Sequence, residues 1–569
     1  MKFISFSEDK CVNCYKCIRV CEPKAISVFG NRQENDEIRC ISCGECYVAC
    51  DREGLYIKDK VKEVQKALSS DKKVIASLAP SFPGAFSLNE GKQIVAALKE
   101  LGFYAVEETA VGADIVINEY EKYTKESERK NLISTSCPAT NYLVEKYYPE
   151  LKEYMIPVVS PMIAHGKMIR KKYGEDVYVV FIGPCIAKKV EAKEEQYTGV
   201  IDSVLTFVEL KKWFEERSID LSKVDPMDFD GKGKDKGKLI ACRIKLSKEK
   251  NKEYEKLVVT GVERCKEILE SIKKGELEGL FLEMLSCSGG CIDGTGMPKD
   301  ATSYHVRKKR VKDYITNSSC SQENQQSEFA GEININKKES AKKVEQHEYS
   351  NEQVEGVLKS MGKNKVEDEL NCNACGYGTC RELAESILRG SSHVNMCLPF
   401  MRSKAESLKN VIFDHSPNAI FMVDFDLIVK EFNPSSEITF NIKADKIKGQ
   451  RIGNVIDESI FKEVVQTKTN LIGKKIEYSQ YGVILIANII YLKEERILMT
   501  IMTDVTSAEK NKEELIRVKE NTLNVAQSVI DKQMRVAQEI AGLLGETTAE
   551  TKVALTKLKD IVVEERGDE

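Results

Sequence analysis

The stretch that decides the fold of this chain covers residues 281–298 and reads FLEMLSCSGGCIDGTGMP. Its first part is apolar. Its second part is a glycine-rich loop that holds Cys287 and Cys291, with three residues between them. Because nothing at the N-terminus resembles a signal peptide, we expect reduced thiols, and a paired arrangement then favours metal binding over a disulfide bond.

Two further loops carry single cysteines. Residues 134–138, STSCP, hold Cys137, and residues 183–191, GPCIAKKVE, hold Cys185. Single cysteines are weak evidence for a metal site when each is taken alone. Together with Cys287 and Cys291, they are much stronger evidence for a metal site.

The region from 70 to 315 alternates apolar runs with helical patterns. Val74–Leu78 and Val177–Ile182 predict buried parallel strands, and each is followed by a loop that contains proline. In open α/β sheets, sites gather at the carboxyl ends of the strands. We therefore predict a central α/β domain over residues 70–315 with the cysteine loops at one edge.

Together these loops resemble the three signature motifs of [FeFe]-hydrogenases. The tripeptide Ala79-Pro80-Ser81 matches that family's loop near the active-site cyanide, and the resemblance covers residues 1 to about 315. It implies an H-cluster, a [4Fe-4S] cube joined through one thiolate to a diiron unit that carries CO, CN⁻ and a bridging dithiolate. The implied ligands of the cube are Cys137, Cys185, Cys287 and Cys291.

The same resemblance assigns further roles. Cys291 would be the thiolate shared with the diiron unit, and Lys188 and Ser81 would hydrogen-bond the cyanides. An ammonium donor to an anionic ligand in a dry pocket makes a stronger contact than a neutral donor does. A solvated surface lysine is the alternative for Lys188.

The chain departs from efficient family members along the expected proton path. Ser136 stands where they carry a cysteine, and Tyr120 and Tyr123 align with two glutamate positions. Glu119 and Glu121 are adjacent, so a register shift of one residue is the alternative. Serine and tyrosine titrate far above cysteine and glutamate, so we expect slow proton transfer at neutral pH.

The N-terminal 60 residues repeat one cysteine spacing twice, which resembles a two-cluster ferredoxin. The pattern C-x2-C-x2-C-x3-C occurs at Cys11, Cys14, Cys17 and Cys21, and again at Cys40, Cys43, Cys46 and Cys50. In such ferredoxins the fourth cysteine of each run ligates the other [4Fe-4S] cluster. A pair of zinc knuckles is the alternative.

A polar stretch, 316–352, predicts a flexible linker. Residues 353–405 then resemble a small [4Fe-4S] domain, with structural zinc as the alternative. Its pattern is C-x2-C-x4-C-x16-C, formed by Cys372, Cys375, Cys380 and Cys397.

The remaining residues predict a PAS-like α+β domain over 406–508 and a helical coiled-coil tail over 509–569. Ala419–Val423 and Ile428–Asn433 predict a hairpin, and Val483–Leu492 and Ile497–Thr503 predict two later strands. Another small α+β domain is the alternative to PAS. Apolar residues recur every seven positions in the tail, so a homodimer is expected; a helix packed on the PAS-like domain is the alternative.

Composition limits the partners. The 569 residues include 31% charged residues and carry a net charge of -4, which does not favour nucleic-acid binding. The longest apolar run, Val483–Leu492, is far shorter than the roughly 20 residues of a membrane span. We therefore expect a soluble, cytoplasmic protein without membrane or nucleic-acid partners.

The resulting hypothesis is a multidomain α/β and α+β protein that senses H2 through slow, reversible H2 oxidation. It would hold four [4Fe-4S] clusters: two N-terminal, one within the H-cluster and one C-terminal. Implied partners are H2, protons, a carrier such as ferredoxin, hydrogenase maturation proteins, and a downstream kinase or phosphatase. The alternatives are a metabolic hydrogenase and an iron–sulfur assembly scaffold without the diiron unit.

Overall fold

The structure is a computed structural model that describes residues 4–29, 32–239, 254–300, 302–318, 333–338, 343–345, 347–544, 552–557 and 559. The chain forms two compact units, Met1–Met401 and Arg402–Glu569.

The N-terminal part of the first unit consists of short elements around the two cysteine runs. In chain order they are β1 Ile4–Phe6, α1 Lys16–Arg19, β2 Ile26–Phe29, β3 Arg32–Asn35, α2 Glu45–Ala49, β4 Leu55–Ile57 and α3 Val61–Leu68. Strand β1 pairs with β4 and β2 pairs with β3, both antiparallel. Each cysteine run therefore lies on a loop and short helix between two strands.

The central part alternates strands and helices. Its elements are β5 Val74–Leu78, α4 Phe82–Ala85, α5 Gln93–Glu100, β6 Ala105–Glu108, α6 Ala110–Glu126, β7 Leu132–Ile133, α7 Pro138–Tyr147, α8 Pro161–Tyr173, β8 Tyr178–Gly183, α9 Ala187–Glu191, β9 Ser203–Thr206, α10 Phe207–Glu216, α11 Asp235–Leu239, β10 Glu255–Thr260, α12 Val262–Lys273, β11 Leu280–Leu285 and α13 Tyr304–Ser318. The mixed α/β character expected from the sequence is confirmed.

These strands form two parallel sheets. One has the order β6-β5-β8-β9 and the other has the order β10-β11-β7. Every residue of β5 is buried, because helices cover both faces, as is usual for parallel strands. Strand β5 has the predicted bounds, and β8 lies one residue later than predicted. The carboxyl ends of β5, β7, β8 and β11 lead into the loops of interest.

The cysteine-containing segment after residue 350 belongs to the first unit. Its helices are α14 Asn351–Ser360, α15 Cys380–Leu388 and α16 Leu398–His415, the last of which crosses the unit boundary along the chain. Its buried side chains, including Leu383 and Met396, share one core with Ile18 and Ile26 of the N-terminal part. The two cysteine-rich parts are thus packed together.

The predicted linker lies partly outside the described residues, which omit 319–332, 339–342 and 346. Its described pieces contact the central part. Val159 donates a backbone hydrogen bond to Ile335, and Asn336 forms an isolated bridge with Val158. Lys337 pairs with Glu145 at 2.6 Å. For the remaining residues, flexibility stays a prediction.

The second unit contains a five-stranded antiparallel sheet. Its elements are β12 Ala419–Asp424, β13 Val429–Phe432, α17 Pro434–Phe440, α18 Ala444–Ile447, α19 Ser459–Thr467, β14 Leu471–Tyr478, β15 Val483–Leu492, β16 Ile497–Asp504 and α20 Thr506–Leu544. The sheet order is β13-β12-β16-β15-β14. Strand β14 was not predicted, because its sequence alternates little and most of its side chains are exposed.

No described helix combines the length and the apolar composition that crossing a bilayer requires.

Candidate metal centre

Four cysteines, here called the central set, lie on loops at the carboxyl ends of parallel strands. The central set is Cys137, Cys185, Cys287 and Cys291. Cys137 caps the N-terminus of α7, where Pro138 takes the first helical position and fixes where the helix starts. Cys185 follows β8, and the other two follow β11.

Backbone contacts hold these loops together. The amide of Ser134 donates to the carbonyl of Leu282 at 2.9 Å, which ties the Cys137 loop to β11. The amide of Gly296 donates to the carbonyl of Pro184 at 2.7 Å, which ties the loop after Cys291 to the Cys185 loop. The structure therefore brings the predicted ligands into one neighbourhood.

The thiols of the central set influence one another. Burial, followed by the nearby thiols of Cys185 and Cys137, raises the pKa of Cys291 to about 12. Burial and the nearby thiol of Cys137 likewise raise the pKa of Cys185 to about 11. Clustered buried thiolates are unfavourable by themselves, whereas bound iron would neutralise them, so this donor set suits an iron–sulfur cube.

The loop Ala79-Pro80-Ser81 adjoins the Cys185 loop. Ala79 donates a backbone hydrogen bond to Ile182 at 2.9 Å, and a Cβ atom on Gly183 would lie 3.0 Å from Cβ of Ala79. The Ser81 hydroxyl is buried and has no hydrogen-bond partner among the described residues. An unpaired buried donor is costly, and an anionic ligand such as cyanide would satisfy it.

Lys188 is buried rather than solvated, with 8% of the residue exposed. Its ammonium donates to Glu191 at 2.7 Å and to the backbone carbonyl of Ser136 at 3.3 Å. Ser160 also donates to Glu191 at 3.0 Å, while burial raises the pKa of that carboxyl. Lys188 is also close enough to favour the thiolate form of Cys291. The surface-lysine alternative is therefore wrong.

Two positions beside this neighbourhood carry small or aliphatic residues. Gly183 is the last residue of β8, and Leu285 is the last residue of β11. A Cβ atom on Gly183 would lie 2.6 Å from the Phe181 ring, so that ring fills the space of a larger side chain. Leu285 lies beside Gly290, where a Cβ atom would be 3.2 Å from its side chain.

The Tyr120 hydroxyl lies next to Ser136. The two oxygens are 3.1 Å apart, and the Thr135 amide donates to the Tyr120 hydroxyl at 2.9 Å. Tyr120 is fully buried, and burial raises the pKa of its hydroxyl. Tyr120, and not Glu119 or Glu121, thus faces Ser136, while its correspondence to a relay position of the family stays a prediction.

The neighbouring glutamates point elsewhere. Glu119 pairs with Lys122 at 2.8 Å, and Glu121 pairs with Lys236 at 2.7 Å. Tyr123 packs against the central core. Tyr120, rather than a neighbouring glutamate, therefore faces Ser136 because of the side of α6 that packs towards β7.

Sequence reasoning missed several polar residues of this region. Thr135 and Glu191 lie inside quoted motifs and Ser160 lies outside them, yet nothing in the sequence indicated their contacts. Glu283 is buried on β11 and pairs with Lys256 of β10 at 3.1 Å. Its position inside an apolar strand was the one signal that could have identified it.

The N-terminal cysteines separate into two groups, which we call the first and second sets. The first set is Cys11, Cys14, Cys17 and Cys50, and the second set is Cys21, Cys40, Cys43 and Cys46. Gly54 lies between Cys11 and Cys50, since its Cβ atom would be 3.4 Å from the Cys11 Cα and 3.6 Å from the Cys50 sulfur. Burial, then Cys21 and Cys40, raises the pKa of Cys43. This grouping matches the exchange of fourth ligands expected from the spacing.

The C-terminal cysteines form a fourth group, the outer set. The outer set is Cys372, Cys375, Cys380 and Cys397, and all four line one pocket. Cys372 is exposed, whereas the other three are buried. Among the described residues, no group of three or more His, Cys, Asp or Glu side chains is arranged to hold a single metal ion.

Comparisons with known proteins agree with this picture. A family model described as iron only hydrogenase large subunit, C-terminal domain, matches residues 72–243 and 236–295. A second model, putative Fe-S cluster, matches residues 368–399. Both matches include cysteine sets assembled above.

Three relatives illustrate the similarity. The periplasmic [Fe] hydrogenase large subunit of Nitratidesulfovibrio vulgaris is 30% identical over 368 residues, covering 52% of this chain and 87% of that protein. Iron hydrogenase 1 of Clostridium pasteurianum is 25% identical over 390 residues, covering 54% and 68%. A probable cytosolic Fe-S cluster assembly factor of Drosophila erecta is 21% identical over 282 residues, covering 39% and 59%.

Fold and site thus define an iron–sulfur protein of the hydrogenase class. The chain belongs to the iron-only hydrogenase large-subunit family.

Proposed function

We propose that this chain is a hydrogen-sensing [FeFe]-hydrogenase with slow turnover. When bound, the H-cluster supplies reversible splitting of H2 into two protons and two electrons. The central set would hold the cube, with Cys291 shared with the diiron unit. Lys188 and Ser81 would donate hydrogen bonds to the cyanides, which the buried, unpartnered Ser81 hydroxyl supports.

The observation that carries slow turnover is the pair formed by Tyr120 and Ser136. Their oxygens are 3.1 Å apart, so a proton can pass between them. Neither side chain titrates near neutral pH, and burial raises the pKa of Tyr120 further. Proton transfer works best when the pKa of the relay group is near the working pH, so this path favours detection of H2 over high flux.

The sensing role also depends on the C-terminal unit. Its hairpin, intervening helices and later strands lie where a PAS-like domain was expected, which supports that proposal. We propose that the signal passes to a separate kinase or phosphatase. We retain four [4Fe-4S] clusters, a cytoplasmic location and a ferredoxin-like carrier as parts of this proposal.

The second candidate is an iron–sulfur assembly factor without the diiron unit, a function named for one relative. Infrared spectroscopy of the matured protein separates the two candidates, because only a diiron unit carries CO and CN⁻. We expect CO and CN⁻ bands. Their absence from protein with fully loaded cubes would overturn the hydrogenase proposal.

The substitution Cys291→Ser tests the shared thiolate. We expect loss of CO bands and H2 activity, while the first and second sets keep their iron. The matched control is Cys265→Ser, because Cys265 is also buried near this region but belongs to no set. Retained CO bands in Cys291→Ser would contradict the assignment.

A further inference from the structure

Two contacts between cysteine sets in this molecule have the same construction. In each, a glycine that directly follows a cysteine of one set packs against an isoleucine that directly follows a cysteine of another set. Gly44, after Cys43 of the second set, packs against Ile186 of the central set's Cys185 loop. Gly376, after Cys375 of the outer set, packs against Ile18, which follows Cys17 of the first set.

Both positions require glycine, because the backbone has a positive φ angle there and because a Cβ atom would be too close to neighbouring atoms. Gly44 has φ 84° and Gly376 has φ 95°, a region that side chains rarely adopt. A Cβ atom on Gly44 would lie 2.7 Å from the Ile186 side chain. A Cβ atom on Gly376 would lie 2.9 Å from Ile18 and 3.2 Å from the Arg19 amide nitrogen. Neither pair of cysteine loops therefore leaves room for a side chain at its glycine.

Polar contacts hold the outer set in this position. Arg19 donates to the carbonyl of Ala374 at 3.0 Å, and Lys24 donates to the carbonyl of Gly376 at 2.9 Å. The Val28 amide donates to the Ser391 carbonyl at 2.9 Å. At the inner contact, Thr295 donates to the Cys43 carbonyl at 3.0 Å.

A shared apolar core also joins the outer set to the N-terminal cysteines. Cys17 and Cys21 are buried in one apolar cluster together with Cys375, Cys380 and Cys397. The segment that carries the outer set thus has no separate core among the described residues. A segment buried in this way is a fixed part of the N-terminal structure rather than a tethered attachment.

We infer that the four cysteine sets form one series, in the order central, second, first and outer, and that the Gly376–Ile18 contact connects the outer set to the others. This inference rests on the proposed function only in that the sets hold [4Fe-4S] cubes. Cys372 of the outer set is exposed, as is Cys14 of the first set.

The series has a simple electron balance. Each [4Fe-4S]²⁺ cube takes up one electron and becomes [4Fe-4S]⁺. Oxidation of one H2 releases two protons to solvent and two electrons, which two such cubes accommodate. The outer set would then report the reduction state of the whole series, and α16 begins immediately after its last cysteine, Cys397.

The test is electron paramagnetic resonance of the full chain, reduced with dithionite and without the diiron unit. Two nearby reduced cubes split each other's signals, and the splitting falls steeply with distance. We expect the outer cube's signal to be split in the wild type. The double substitution Cys11→Ala, Cys14→Ala, which removes the first cube, should abolish this splitting.

The matched control is Cys43→Ala, Cys46→Ala, which removes the second cube and should leave the outer splitting in place. Iron analysis should show about four fewer irons in each double variant. An outer signal that is the same with and without the first cube overturns the inference. So does unchanged iron content after Cys375→Ala, Cys380→Ala, because the outer set would then hold no cube.

A third variant tests the contact itself. Gly376→Ala should weaken the splitting because its methyl group displaces Ile18, while Gly378→Ala, which meets only the flexible Glu382 side chain, should not. Equal splitting in both variants, with equal iron, contradicts the role of Gly376. These measurements need no diiron unit, so they stand apart from the infrared test of the proposed function.

Discussion

At the scale of single residues, the most informative contact joins Tyr120 and Ser136. Tyr120 packs edge-on against Phe281, with ring centroids 6.0 Å apart, and its hydroxyl reaches the residue before Cys137. A carboxyl group in this buried position would have a raised pKa, closer to neutral. The same site could thus carry an efficient relay group if its residue were changed.

We therefore predict that Ser136→Cys combined with Tyr120→Glu and Tyr123→Glu raises H2 evolution well above wild type and above each single variant. Each missing relay group could cost roughly 10²–10⁴ in rate, and steps in series must all be restored. The measurement is evolution rate with a soluble reductant near pH 7, with infrared spectra confirming an intact H-cluster.

The controls are Glu119→Gln and Glu121→Gln, whose side chains pair with surface lysines and should leave the rate unchanged. If the triple variant is intact but no faster than wild type, proton delivery does not limit this protein. The surroundings of Gly183 and Leu285, or electron supply, would then be limiting.

At the scale of elements, the crossing of α6 and α8 supports the central sheet. Gly112 lies at this crossing, where a Cβ atom would be 2.3 Å from the Pro161 carbonyl oxygen and 2.6 Å from the His165 side chain. His165 itself is buried between Ser77 and Glu107, with hydrogen-bond distances of 2.8 and 3.1 Å. The two helices can approach this closely only because residue 112 has no side chain.

Gly112→Ala should accordingly lower the free energy of unfolding by about 1–3 kcal/mol, the usual cost of overpacking a core. Gly356→Ala is the matched control, because Gly356 lies inside α14 with nothing near its Cβ position; it should be neutral or stabilising by about 0.5–1 kcal/mol. Thermal unfolding of both apo-proteins measures the difference. Equal melting temperatures of the Gly112→Ala and Gly356→Ala variants would show that α6 and α8 can move apart at little cost in free energy.

At the scale of the whole molecule, helix α20 presents an extensive apolar surface. Exposed apolar side chains along it include Leu515, Val518, Leu523, Val525, Val529, Val536 and Ile540. All of these except Leu523 fall within one stripe of the helix, whereas Arg517, Asn524 and Arg535 lie more than about 100° around the helix from the centre of that stripe. Such a face is stable in water when a second copy covers it, so we propose that α20 forms a coiled-coil dimer.

We expect Val525→Glu to weaken this dimer at least tenfold, because it places a charge in the apolar interface. Asn524→Glu adds the same charge outside that stripe and should have no effect. Analytical ultracentrifugation of the full-length variants gives the dissociation constants. A monomeric wild type would contradict the dimer, and equal constants for both variants would place the interface elsewhere.

The sequence alone determined the cysteine sets, the central α/β strands and the family resemblance, because these depend on local spacing and on apolar runs. Strands β5, β12, β13, β15 and β16 followed from patterns within a few residues, whereas β14 did not. Tertiary structure was needed to decide which side of α6 faces Ser136, because helix rotation depends on packing against β7 and Phe281. It also decided that the outer set packs on the first set, since residues 18 and 376 are distant in the chain and meet only through a shared core.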